Sequence, residues 1–167
     1  MCDKLEVRIS IKPLDYGLIL KGVGYMEDTA IYQVISHPFD KIIHDLEREG
    51  MVQRDRGTLF ELLVTAYFKY EPMYARLFDE VWMLGSVPDE YKIPKKDTGV
   101  DLVARNRETG DLVAIQCKYF SKDTTIQKAH IDSFLNEVGK SYYAEGIIVT
   151  TTDKWSSNAD EALLNRD

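Results

Sequence analysis

Asp101, Gln116 and Lys118 are the residues whose types and spacing offer chemistry. They stand in two short stretches, DTGVDLVARN (97–106) and LVAIQCKYF (112–120), joined by RETGD (107–111). Both stretches alternate as strands do, and Gly110 supplies the positive-φ residue a tight turn needs. Side chains alternate across a strand, so Gln116 and Lys118 face one way and Cys117 the other. Hairpin pairing brings Asp101 beside the second arm. The expected result is an acid, an amide oxygen and an ammonium at one edge of a sheet, and a lysine buried there needs a partner or a function.

Hydrolysis of a phosphodiester accounts for such a set. A carboxylate binds a hard cation such as Mg²⁺, which takes oxygen ligands and keeps several waters. The cation polarises a phosphate and lowers the pKa of an attacking water. A lysine beside it holds that water or stabilises the charge that develops on the phosphate. The backbone carbonyl of Cys117 falls between the two side chains as a further oxygen donor. Each residue taken alone also has a bland reading. Asp101 after Gly99 reads as a turn or strand-edge acid, Gln116 as a strand polar residue, and Lys118 as a snorkelling edge lysine. Glu61 reads as the capping-box partner of Thr58. Specificity lies in the joint pattern.

The elements that must position these residues follow from periodicity and breakers. Residues 5–11 alternate as a strand, and 17–21 could pair back with it beyond Pro13 and Gly17. Residues 30–49 carry helical spacing interrupted at Pro38, with Ile42, Ile43 and Leu46 on one face and Gly50 as the stop. The spacing predicts a helix over 56–71, capped by Thr58, with an apolar stripe of Leu59, Leu62, Leu63, Ala66 and Tyr67. Residues 79–84 read as a strand or helix end, and 100–105 and 112–120 as the hairpin arms. A helix is expected over 124–139, a buried β-branched strand over 146–151, and a last helix from Ser156/Ser157. That last helix still runs at Asp167, which reads as a piece excised from a larger chain. The order predicts an α/β domain with a mixed sheet flanked by helices.

Composition bounds the rest. A chain of 167 residues, 44% hydrophobic, is one domain of ordinary size and not a disordered one. No run approaches the roughly 20 apolar residues of a membrane span, and MCDKLEVRIS lacks the apolar stretch of a signal peptide. Two cysteines, Cys2 and Cys117, suggest neither a disulfide scaffold nor a four-ligand zinc site. A soluble cytoplasmic protein is the expectation. The net charge of −7 argues against a simple basic DNA-coating protein. The segment from Lys92 to Lys128 nevertheless holds eight Lys/Arg against five Asp/Glu, an excess of +3 that leaves −10 elsewhere. A solvated lysine-rich face is the plain reading of that segment. His37, His44 and His130 have no metal-ligand spacing, and Cys117 at a buried strand position reads as packing. Trp155 and Lys154, following a strand, suit a surface loop as well as a DNA contact.

Taken together, GVDL (99–102), a turn, and AIQCK (114–118) resemble the core of the PD-(D/E)xK nucleases in their Mrr-like branch. The helix GTLFELLV (57–64) is similar to the first core helix of that fold, and IIVTT (147–151) with SSNADEA (156–162) to the later strand and helix. The likeness spans about residues 55–167 and implies a restriction-endonuclease-like core. It implies Asp101 as metal ligand, Gln116 at the second ligand position, Lys118 as catalytic lysine and Glu61 as auxiliary acid, with Mg²⁺, or Mn²⁺ in its place, as cofactor. More closely, the chain resembles the N-terminal nuclease domain of single-chain Type ISP restriction–modification enzymes. That resemblance implies a Mg²⁺-dependent endonuclease acting on double-stranded DNA. Its partners would be the helicase-like ATPase and methyltransferase of the same chain, which use ATP and S-adenosylmethionine, and a second copy for double-strand cleavage. Residues 30–167 would form the nuclease domain behind an N-terminal extension (1–29). Arg105, Lys122, Lys128 and Lys154 are the candidate phosphate contacts. Two departures stand out: the general pattern has an acid where this chain has Gln116, and its proline–aspartate pair is replaced by Thr98-Gly99 and Val100-Asp101. A nuclease-like docking module without turnover, or a junction-resolving repair nuclease, are the rival functions.

Overall fold

The computed structural model describes residues 6–10, 53–96, 98–121, 123–152 and 154–164. The expected elements at 17–21 and 30–49 lie outside these. In chain order the elements are β1 (Glu6–Ser10), α1 (Gln53–Tyr70), α2 (Pro72–Leu77), β2 (Phe78–Met83), β3 (Leu102–Asn106) and β4 (Leu112–Lys118). They are followed by α3 (Asp132–Val138), β5 (Glu145–Thr150) and α4 (Ser157–Leu164). The strands form one five-stranded sheet in the order β1-β5-β4-β3-β2. β5 lies parallel to β1 and to β4, while β3 is antiparallel to both β4 and β2. This is the mixed sheet flanked by helices of a restriction-endonuclease-like α/β fold.

Strand alternation sorts the core into two layers. On one face Val113 and Ile115 of β4 join Leu102, Ala104, Ile147 and Val149 against Phe60, Val64 and Phe68 of α1. On the other, Leu112 and Ala114 join Val103 and Ile148 against Phe134, Leu135 and Val138 of α3. The β-branched residues of β4 and β5 suit strands buried on both faces.

Three local expectations are corrected. First, α1 begins by Gln53, and Thr58 lies inside it, where its hydroxyl donates back to the Arg54 carbonyl at 3.3 Å. Thr58 is therefore not a cap, and the capping-box reading of Glu61 falls with it. Second, the buried stripe of α1 is Phe60, Val64 and Phe68, each fully buried, whereas Leu59 and Leu62 are exposed. Phenyl rings bury more apolar area than leucines, so the aromatic stripe turns to the sheet. Third, residues 124–131 are not α-helical. Ile126 is held extended by a bridge to Trp155, its N–H donating to the Lys154 carbonyl at 2.8 Å. Only a 3₁₀ turn at Lys128–His130 precedes α3.

Candidate active site at the open end of the hairpin

The turn of the β3–β4 hairpin closes one end, and the other end is where the chemistry-bearing residues meet. Leu102 pairs with Ile115, and the Asp101 N–H donates to the Ile115 carbonyl at 2.9 Å, so Asp101 lies opposite Gln116. A second backbone bond, from Leu84 N–H to the Asp101 carbonyl at 2.9 Å, anchors the residue from the other side. Its carboxylate Oδ2 accepts the Cys117 N–H at 2.6 Å. A carboxylate offers about four acceptor positions, so this bond fixes its orientation without exhausting it.

The Cys117 carbonyl points to the same edge of β4 as its N–H, because both groups of one strand residue share an edge. It therefore faces the gap that Asp101 borders. Gln116 is fully buried, and its Nε2 donates to the Gly99 carbonyl at 2.8 Å. Its Oε1 is buried and finds no hydrogen-bond partner among the described residues. An orphaned buried acceptor costs about 1–3 kcal/mol unless a ligand or water meets it. Lys118, two residues on, shares the Gln116 face by alternation and is half-buried.

Glu61 reaches this end from α1. The neighbouring Phe60 packs edge-on against Tyr119, with ring centroids 5.9 Å apart, which sets that turn of the helix beside the exit of β4. The Cys117 thiol senses all three charged groups. Burial pushes its pKa well above the ordinary thiol value, Asp101 and Glu61 push it further, and Lys118 pulls it down. Cys117 thus stays a neutral thiol, in keeping with a packing role. Asp101 thus lies opposite Gln116, Lys118 shares the Gln116 face, and Glu61 lies on the α1 side of the sheet, near enough to act on the Cys117 thiol.

The candidate phosphate contacts are scattered. Lys128 pairs with Asp132, and Lys154 with Asp123 at 2.7 Å, all at exposed positions near the C-terminal ends of β4 and β5. Lys122 is outside the described residues. Arg105 lies toward the turn end of β3. Its guanidinium donates to both Asp79 carboxylate oxygens, at 2.9 and 2.7 Å, and to the Tyr91 hydroxyl at 2.7 Å, and it covers the Trp82 ring. Sequence reasoning missed Gly99 as a member of the site. Its signal was a single glycine two residues ahead of the acid, with φ of +85° in the structure.

The oxygen donors at this corner fit a hard divalent cation: a carboxylate, a buried amide oxygen without a partner, and a backbone carbonyl. Among the described residues no three His, Cys, Asp or Glu side chains group as a metal cluster, so the donor set is mixed. No helix among the described residues is long and apolar enough to cross a membrane.

The restriction endonuclease family Mrr_cat_2 matches residues 69–167, and the chain belongs to that family. The matched stretch holds β2 to α4 with Asp101, Gln116 and Lys118, and it begins after Glu61. The chain is also similar to a solved structure described as "ATP-dependent Type ISP restriction-modification enzyme LlaBIII bound to DNA", with 48% identity and a TM-score of 0.60. That similarity covers 69% of this chain and 7% of that one, so the chain spans a small part of the enzyme's length. No curated protein matches the chain.

Proposed function

We propose that this domain hydrolyses DNA phosphodiester bonds with a divalent cation, as the nuclease part of a cytoplasmic Type ISP restriction–modification enzyme. The observation that carries the metal reading is the buried, partnerless Oε1 of Gln116 opposite Asp101. In this reading Asp101, Gln116 and the Cys117 carbonyl hold Mg²⁺ or Mn²⁺. The bound cation supplies Lewis-acid polarisation of the phosphate and lowers the pKa of water. Asp101 is pre-oriented for that role by the Cys117 N–H. Lys118 puts its ammonium beside the scissile phosphate, where it orients the attacking water and offsets developing negative charge. Glu61 acts as the auxiliary acid across the gap. Burial of Gln116 shields its amide from bulk water.

The likeness to a Type ISP enzyme bound to DNA supports double-stranded DNA as the substrate and a larger parent chain as the setting. The helicase-like ATPase and methyltransferase, with their ATP and S-adenosylmethionine, would belong to that parent, and a second copy would complete a double-strand break. Residues 30–167 are read as the nuclease domain and 1–29 as its leading segment, from which β1 completes the sheet edge. Lys128 and Lys154 can exchange their exposed carboxylates for phosphates, and Lys122 joins them in sequence. Arg105, committed to Asp79 and Tyr91, is the weakest of the four. Nicking of supercoiled plasmid with Mg²⁺ or Mn²⁺ tests the reading. Wild type should nick and Asp101→Ala should not, and equal nicking by both overturns it.

One observation favours a second reading. Gln116 is a neutral amide where the general nuclease pattern carries an acid. A docking module without turnover fits that substitution. It would bind DNA without metal and leave cleavage by the parent enzyme indifferent to Asp101→Ala.

A further inference from the structure

Gln116 stands where the general nuclease pattern carries an acid, and its surroundings give a reason. The amide has two ends with opposite hydrogen-bonding character. One end meets the Gly99 carbonyl at 2.8 Å. A backbone carbonyl only accepts, so the group facing it is the NH₂, and the other end is the oxygen. That oxygen is the atom left buried without a partner.

Gly99 itself is tightly fixed. Its φ of +85° lies in the region that favours glycine. A Cβ at this position would meet Ser133 Oγ at 2.6 Å, the Phe134 N–H nitrogen at 3.0 Å and Gln116 Nε2 at 3.2 Å. Gly99 therefore packs closely against the start of α3 and the Gln116 side chain, where no larger residue fits, while its carbonyl accepts from Gln116 Nε2.

Resting on the metal-dependent reading above, we infer that the Gly99 carbonyl is a positioning group that makes a carboxamide obligatory at position 116. Its acceptor oxygen selects the NH₂ end of Gln116 and aims Oε1 at the cation. A glutamate there has the same length and adds a negative charge, which by charge alone would tighten cation binding. Here its second oxygen would face the Gly99 carbonyl, acceptor against acceptor, in a buried place. The isosteric acid should weaken the site that it formally improves.

The test compares the full chain with its Gln116→Glu variant in Mn²⁺ titration calorimetry, with and without a DNA duplex, and in thermal melting without metal. Mn²⁺ affinity should fall by about 10- to 100-fold, as on loss of a group that orients a ligand. The metal-free melting temperature should fall by roughly 2–4 °C. Equal or tighter Mn²⁺ binding by Gln116→Glu, or melting at or above the wild-type temperature, overturns the inference. Side-chain amide exchange in the wild type needs no variant to fold: the Gln116 NH₂ should exchange far more slowly than that of the exposed Gln127. Exchange at the same rate overturns the lock. The two readings fail separately. A wild-type chain that takes up no Mn²⁺, alone or with DNA, counts against the metal-dependent nuclease, while melting and exchange still decide the role of Gly99.

Discussion

The two ends of the β3–β4 hairpin are built from the same two strands and solve opposite problems. At the turn end polar groups satisfy one another. Asn106 Oδ1 accepts the N–H groups of Glu108 and Thr109 at 2.9 and 3.2 Å, and the Asp111 N–H is taken by the Thr109 hydroxyl at 3.2 Å. Gly110 takes φ of +76°, and Arg107 donates to the carbonyls of Ala75, Arg76 and Phe78. At the open end Gln116 Oε1 has no partner among the described residues, and charged groups of both signs act on the half-buried Cys117 thiol. The turn end thus closes with its polar groups paired, while the open end keeps a buried acceptor available to a ligand.

The comparison breaks most sharply at Lys118. Lys118→Ala should lower plasmid nicking by about 10²–10³-fold, the usual loss of one group aimed at developing charge. Thermal melting should be nearly unchanged, because a half-buried lysine at a strand end contributes little to the core. A large drop in melting temperature with intact nicking would reverse the assignment of the two ends. The middle of the hairpin serves both. Ile115 is fully buried against Leu102 and the α1 face. Ile115→Ala should cost about 2–5 kcal/mol of stability in denaturant unfolding and lower nicking only as far as the folded fraction falls. A loss of nicking in fully folded Ile115→Ala protein would show that the core side chain also shapes the site.

How much of this was legible depends on whether a signal is local. The hairpin, its turn and the shared face of Gln116 and Lys118 follow from a period of two and a glycine, so they could be read directly. The face of α1 could not, since leucines and phenylalanines of that helix compete and only the sheet decides between them. Ile126 was misread for a similar reason: its partner, Trp155, lies 29 residues away, and pairing overrode a helical-looking stretch. The Gly99 carbonyl was invisible because a backbone acceptor leaves no trace in residue type. Arg105 looked like a spare cation, while its partner Asp79 sits 26 residues upstream.

At the closed end the expected effects are smaller and confined to stability. Asn106→Ala removes the acceptor of two turn N–H groups and should cost about 1 kcal/mol in denaturant unfolding. Nicking should be unchanged. An equal loss of nicking would mean that the two ends are coupled through the register of the hairpin, and the contrast between them would have to be given up.

The subtlest test uses pH at the Asp79–Arg105 pair, which ties β2 to β3 near the turn and whose Arg105 also donates to Tyr91, ahead of the loop leading to Gly99. Hydrogen bonds from Arg105 hold the Asp79 carboxyl below its ordinary range, with the guanidinium charge acting the same way and burial opposing. A carboxyl depressed in the folded state stabilises the fold above its unfolded pKa of about 3.9, and that contribution is lost as pH falls through the folded value. Asp79→Asn should therefore lower the melting temperature modestly near neutral pH, because the pair is partly open to solvent and screened. The gap from wild type should narrow as pH drops below about 4, the unfolded carboxyl value. A gap that stays constant through the acid range would mean that the ion pair contributes through shape rather than charge. A gap in nicking at neutral pH would mean that the closed end reaches the open one through Tyr91 and the Gly99 loop.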